Sequence, residues 1–205
     1  MSPVSPTAPH PTHRLRDRLR EEAARAILEA AEAVFSEEGL SAGMERIADR
    51  AGVAVGTLYN HFQDRRALVD ALSCTRREAL FARLDAALAA SEGAPFEAQL
   101  RAYLTALAEH GRLHGRLLGA LVQAGEGPAR VRPSGSILDG FLARAQALVD
   151  RGIDGGALRP ERRGLLAPAL VGLARAAMVR AVEGGATWDE VVDTVTDLFL
   201  RGAGR

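Results

Sequence analysis

The sequence predicts an all-α protein, and three observations carry that expectation. Apolar residues recur at intervals of three and four along most of the chain, as in Ile27, Ala30, Ala31, Val34 and Phe35, which is the period of one helical face. Alternation of period two, and hairpin dipeptides flanked by β-branched runs, are both missing from the sequence. The breaks between periodic stretches, among them "GEGPARVRPSG", "RGIDGGALRP" and "EGGAT", hold the glycines and prolines that end helices. No internal repeat of fixed period is present.

Taken in order, residues 1–13 are Pro, Ser, Thr and His with almost nothing to bury, and are expected to be a disordered arm. From about Arg16 the pattern turns helical, and Gly39 closes that helix as a C-terminal cap. Two short helical segments follow within "ERIADRAGVAVGTLYNHF", residues 45–62. A long helix reads from "DRRALVDALSCTRREALFARLDAALAA", with Leu68, Leu72, Leu80, Leu84 and Leu88 spaced by multiples of four, until Gly93 and Pro95 stop it. Further helices are expected at roughly 95–110, 112–124, 134–151, 161–183 and 188–201, for about nine in all.

Composition bounds the function. A chain of 205 residues makes one large domain or two small ones. It carries 26 basic and 26 acidic residues, and every basic one is arginine. Neutrality argues against a generally basic coat but leaves room for a local basic face. Arg14, Arg16, Arg18 and Arg20 make one such cluster against the lone acid Asp17, able to lie along phosphates or enter a minor groove. The single cysteine, Cys74, excludes an internal disulfide and fits a reducing cytoplasm. No apolar run reads as reaching the about 20 residues of a membrane span, and the first twenty residues lack the apolar core of a signal peptide. The protein is expected in the cytosol.

The two short segments suit a helix-turn-helix. Neither stands alone in water, so they must pack on each other and on the helix before them. A first helix over about 43–51 ends at Gly52, where a left-handed backbone costs glycine little. A second, over about 55–62, crosses it. Ile47, Ala48, Val53, Leu58 and Phe62 go inside, and Ile27, Ala31 and Phe35 close a three-helix core. Ala54, Val55, Gly56, Thr57, Tyr59, Asn60 and His61 are left facing out. Small residues at a helix start followed by hydrogen-bonding side chains suit a major-groove reader, and a helix N-terminus favours phosphate.

"ILEAAEAVFSEEGL", "MERIADRAGVAVGTLYNHF" and "DRRALVDAL" resemble the DNA-binding domain of TetR-type (tetracycline-repressor-like) regulators over about residues 18–72. Beyond that region the likeness is confined to helical layout and a "GALRPE" turn. The resemblance implies a helix-turn-helix DNA-binding domain at 14–66, joined by a long helix to a helical ligand-binding and dimerisation domain at 67–205. It implies that Thr57, Tyr59 and His61 meet phosphates or sugars and that Val55, Gly56 and Asn60 approach bases, with Arg46 and Ala54 completing the DNA-binding set. Arg65 stands where the family often has a phosphate-binding lysine, and offers a more directional fork. Two features depart from the family pattern. "GLSAGMERIA" is one residue shorter than the commoner form between Gly39 and Ile47. Gly43 also stands where a threonine hydroxyl often touches the DNA backbone.

One such domain makes few base contacts, so specific binding calls for two half-sites of a (pseudo)palindromic operator and a homodimer. The last two helices, about 161–201, are expected to supply it. Leu166, Leu170, Leu173 and Ala177 lie on one side, with small Ala169, Gly172 and Ala176 permitting close approach. Trp188, Val191, Val195, Leu198 and Phe199 lie on the other helix. Helices between about 95 and 151 would enclose a small-molecule effector, with Tyr103, His110, His114, Gln123 and Phe141 as candidate contacts. Effector binding then separates the two DNA-binding heads from the spacing of one duplex turn and releases the operator.

Other chemistries find little support. His110 and His114 stand at a zinc-binding spacing, but Gly111 and Gly115 weaken that helix and no third ligand is evident, so no metal or cofactor is expected. A lone cysteine on a leucine-rich helix reads as packing. Neither a G-x-S-x-G elbow nor a phosphate-binding loop is present, so an enzyme is not expected. The expected function is a ligand-responsive dimeric transcriptional regulator, most simply a repressor. The alternative is an all-helical small-molecule-binding module that has lost its DNA function.

Overall fold

A computed structural model describes residues 11–123 and 137–204. Among them it has eight α-helices and a single short 3-10 turn, and no strand beyond an isolated bridge between Leu158 and Gly204. The chain divides into two compact units, one running to Leu72 and the other from Ser73.

The first unit is built on α1 (Pro11–Glu38), α2 (Met44–Ala51) and α3 (Val55–His61), with the start of α4 (Arg65–Ala90). Helix α1 begins earlier than its apolar pattern suggests, because Pro11 is a good first helical residue whose missing N–H costs nothing there. Residues 11–13 of the expected disordered arm are therefore helical, and residues 1–10 lie outside the described set. Ile27, Ala31, Val34, Phe35, Ile47, Ala48 and Leu58 form a sealed core, each 1% exposed or less. Two ion pairs tie α2 to the end of α1, Arg50–Glu37 at 2.9 Å and Arg46–Glu38 at 3.0 Å. Asp64 caps α4, accepting a 2.7 Å hydrogen bond from the Ala67 N–H.

The second unit contains the rest of α4, then α5 (Phe96–Gln123), α6 (Ile137–Asp154), α7 (Arg163–Val182) and α8 (Trp188–Ala203). Helix α5 is central and packs on α6, α7 and α8. The two helices expected on either side of residue 111 are thus one. Gly111 does not break α5, because the Trp188 ring fills the space its missing side chain leaves: a Cβ there would sit 2.3 Å from Cη2 and Cζ3 of that ring. Gly115 continues the same shelf under Trp188, and Gly119 faces Val182. The indole therefore seats directly on the α5 backbone. Thr187 and Glu190 form a reciprocal cap at the start of α8, the Glu190 carboxylate accepting from the Thr187 N–H at 2.7 Å.

Helix α7 corrects two expectations. With its preceding turn it forms a run, Pro160–Val182, with a stretch of mean hydropathy 1.6, long and apolar enough by length and composition to cross a membrane. Alanines, glycines and leucines outweigh the scattered arginines there. Yet Leu166, Ala167, Leu170 and Ala174 lie in the core of the second unit, as such residues do in any core helix. Leu166 and Leu170 face their own core rather than the expected interface, with Leu173 at the exposed edge of their side. They point inward, as do Val191, Val195 and Phe199 of α8, while Leu165, Ala169, Gly172, Leu173, Ala176 and Val179 are exposed. The apolar character of α7 thus belongs to two opposed faces rather than one broad stripe.

Candidate nucleic-acid interface

The corner between α2 and α3 is made by backbone geometry. Gly52 adopts φ +69° and its N–H bonds back to Asp49 O at 3.1 Å, while the Val53 N–H reaches Ala48 O at 3.1 Å. The left-handed conformation ends α2 and turns the chain within two residues, as only glycine does cheaply. Leu58 then anchors α3 from below with no exposed surface, and Phe62 closes its far end. With one side of this seven-residue helix so fixed, the opposite side faces outward.

That outer side carries Gly56, Tyr59 and Asn60, with Ala54 exposed just ahead of it, whereas Val55, expected to face out, is half-buried towards the Leu58 side. Tyr59 is 44% exposed, a large aromatic that buries little of itself within the protein. Thr57 and His61 sit at the edges and are half-buried. Gly56 is informative because it has no internal reason to be glycine. Its φ is not positive, and a Cβ built there would meet nothing within 4 Å. Glycine weakens a helix by about 0.5–1 kcal/mol relative to alanine, so α3 carries that cost on the surface it presents outward.

This short helix, locked across a glycine corner, lies within a stretch that matches a known family. Residues 27–72 match the family described as bacterial regulatory proteins, tetR family. Residues 27–72 are thus a tetR-type helix-turn-helix domain. The whole chain is also similar in fold to solved structures. A protein of unknown function from Rhodococcus sp. RHA1 superposes with a TM-score of 0.71 at 24% identity, covering 89% of this chain and 96% of that one. The regulatory protein TetR from Rhodobacter sphaeroides gives 0.70 at 24% identity, covering 88% and 98%. The ketosteroid transcriptional regulator KstR2 of Mycobacterium tuberculosis gives 0.62 at 25% identity, covering 89% and 95%. No curated protein matches the chain. The chain therefore has the domain and fold of DNA-binding transcriptional regulators.

Other features of the tetR-type domain were not visible in its motif. Arg65 is half-buried and donates a hydrogen bond from Nη1 to the Leu40 carbonyl at 2.5 Å, bracing the turn after α1. Gly43 stands at the N-cap of α2 with no side-chain bond to the helix, so α2 starts on a backbone bond, Ile47 N–H to Gly43 O at 3.3 Å. Val53 is half-buried rather than fully inside. The Arg65 contact pairs residues 25 apart along the chain, and no local signal announces it.

In the second unit the candidate effector residues are dispersed. Tyr103 is buried, and that burial pushes its phenol up to about 12. His110 is also buried, its ring 4.5 Å from that of His114. Burial first, and then the nearby charges of His114, Arg83 and Arg76, push His110 down to about 4, so it is neutral at physiological pH. Phe141 meets Phe81 edge to face at 5.3 Å, with Arg144 stacked 4.1 Å over the Phe81 ring and held by Asp85. The side chain of Gln123 lies outside the described residues. Two shallow clefts open on this unit. One, of 320 Å³, is lined by Thr105, Glu109, Arg112, Asp189 and Asp193, and the other, of 390 Å³, by Asp85, Glu92, Arg144 and Arg151 among others. Neither is lined by the five candidates. Among the described residues no three His, Cys, Asp or Glu side chains group as a metal site needs.

Proposed function

We propose that this protein is a dimeric, ligand-responsive transcriptional regulator, a repressor that leaves its operator when a small molecule binds the second unit. The outward face of α3 is the observation that carries this reading, above all the unoccupied space over Gly56 beside exposed Tyr59 and Asn60. Val55, Gly56 and Asn60 approach base edges, while Thr57, Tyr59 and His61 hold phosphates and sugars, with Ala54 and Arg46 at the margins. Arg65 positions the domain through Leu40 and reaches a phosphate only by exchanging that partner. Phosphate contacts set the register on the duplex and base contacts set the sequence.

The dimer forms through the outer face of α7. Leu165 is 71% exposed, Val179 43% and Leu173 36%, and Ala169, Gly172 and Ala176 between them are small enough for a second helix to approach closely. Leu198 of α8, 52% exposed, adds to the apolar surface. Apolar residues at these spacings support a four-helix arrangement of α7 and α8 with their symmetry mates. The effector acts by preferring a conformation in which the two heads no longer match one duplex.

The test is selection of duplexes from a random pool by the purified chain, followed by anisotropy titration of the selected duplex at two salt concentrations. We expect salt-sensitive, sequence-specific binding that Tyr59→Ala weakens at least tenfold while leaving helicity intact. Failure to enrich any sequence would remove the regulator reading in favour of a ligand-binding module.

A further inference from the structure

The amino-terminal part of α1 reaches well past the core it belongs to. Ile27, Ala31 and Val34 are fully buried where α1 packs on α2 and α3, Ala23 and Ala24 are half-buried, and from Glu22 back to Leu15 every residue is exposed. Helix α1 nevertheless begins at Pro11. Arg16 and Arg20 lie eleven and seven residues before Ile27. At about 100° per residue, both fall within about 20° of the azimuth of Ile27. They therefore extend, past the edge of the core, the same helical face that α2 and α3 pack against, at about 16 Å and 10 Å of axial distance from Ile27. Arg18 lies about 180° away from Ile27 and Arg25 about 160° away, on the far side of the helix.

The two pairs also differ in their neighbours. Arg18 and Arg25 each have a glutamate four residues on, Glu22 and Glu29, the spacing at which opposite charges face each other along a helix. Arg16 and Arg20 stand four apart from one another, a like-charged spacing that disfavours the helix. Asp17 stands beside Arg16 and three residues before Arg20, and Glu21 and Glu22 follow Arg20. Among the described residues none of Arg16, Arg18, Arg20 and Arg25 has an ion pair, whereas Arg46 and Arg50 of the same unit are paired with Glu38 and Glu37. Two exposed guanidinium groups on the face that leads towards the helix-turn-helix suit an anionic surface running past it.

We propose that Arg16 and Arg20 form a phosphate clamp that grips the duplex backbone flanking the site read by α3, with DNA as the occupant of this face. The clamp rests on the regulator reading above and adds contacts that carry register and affinity rather than sequence. Arg18 and Arg25 face away and take no part.

The experiment compares two double variants of the full chain that remove the same charge, Arg16→Gln with Arg20→Gln, and Arg18→Gln with Arg25→Gln. Each is titrated against the duplex selected by the unaltered chain, from low to moderate salt. All four residues are exposed, and circular dichroism verifies that both variants keep their helix content. Losing two phosphate contacts lowers the slope of log K against log salt by about 1.8 for each domain engaged. We expect that change, with at least tenfold weaker binding, in the Arg16/Arg20 variant only. Trimming the flanking base pairs from the duplex should bring the unaltered chain down to the same affinity. Equal losses in both variants, meaning a diffuse charge effect, overturn the clamp, as does no loss in either. Those results leave the regulator reading standing, since the unaltered chain still binds. If the unaltered chain selects no duplex, both readings fall together.

Discussion

Replacing Gly56 with alanine should make the protein more stable and a worse DNA binder. The added methyl meets nothing within 4 Å, and the backbone there is not left-handed, so neither crowding nor strain opposes it. What remains is the backbone entropy that glycine loses on folding, and its relief should raise stability by about 0.5–1 kcal/mol. In a chain of this size that corresponds to a rise in melting temperature of roughly 1–4 °C. On the duplex the same methyl stands on the face of α3 that approaches the bases, between Val55 and Thr57. A displacement of even part of an ångström there lengthens the hydrogen bonds around it, and we expect at least a tenfold loss of affinity. Thermal melts monitored by circular dichroism and anisotropy titrations on the selected duplex measure the two effects separately. Unchanged affinity with higher stability would show that DNA does not come close to Gly56, and the proposed interface would have to move. Lower stability would show instead that the surface over Gly56 is occupied within the protein.

Gly111→Ala tests the shelf under the indole. Its Cβ would lie 2.3 Å from the Trp188 ring, and overpacking of that kind costs about 1–3 kcal/mol, against a gain of about 1 kcal/mol in helix propensity. We expect a net loss of stability and a shift in the emission of Trp188, the sole tryptophan; unchanged emission would mean that the ring is seated elsewhere. His110 should make stability depend on pH. Its folded value is lowered to about 4 from an ordinary 6.5, so the folded state holds it neutral. Its contribution is complete above the unfolded value and is lost as pH falls from about 6.5 towards about 4, up to about 3 kcal/mol in all. Urea midpoints across that range should fall for the unaltered chain and flatten with His110→Gln; parallel curves would refute the assignment. Leu165→Glu introduces a charge at the most exposed apolar position of α7, where the residue is 71% exposed. Sedimentation should report a monomer, and a persistent dimer would locate the interface elsewhere.

The sequence by itself determined the helix-turn-helix, because that motif is local. Ile47, Ala48, Leu58 and Phe62 repeat at helical spacing around Gly52, and Gly52 holds the left-handed conformation its position demands. A few turns of chain contain the core, the corner and the outer face together, so periodicity and glycine chemistry were enough. The all-α class followed for the same reason. What only the tertiary structure decided involves partners far apart along the chain. Gly111 reads as a helix breaker until the Trp188 ring is seen filling its place, and so two expected helices are one. Leu165 and Leu166 are neighbours of equal hydropathy, and only packing distinguishes the exposed one from the buried one. Helix α7 is apolar on both sides, so its periodicity could not say which side met the core. Arg65 carries a charge suited to phosphate, but its hydrogen bond to the Leu40 carbonyl depends on the turn after α1 folding back to it. Local sequence sets the period of a helix and the place of its turns. Which face is covered, and by what, is decided by residues that meet only when the chain has folded.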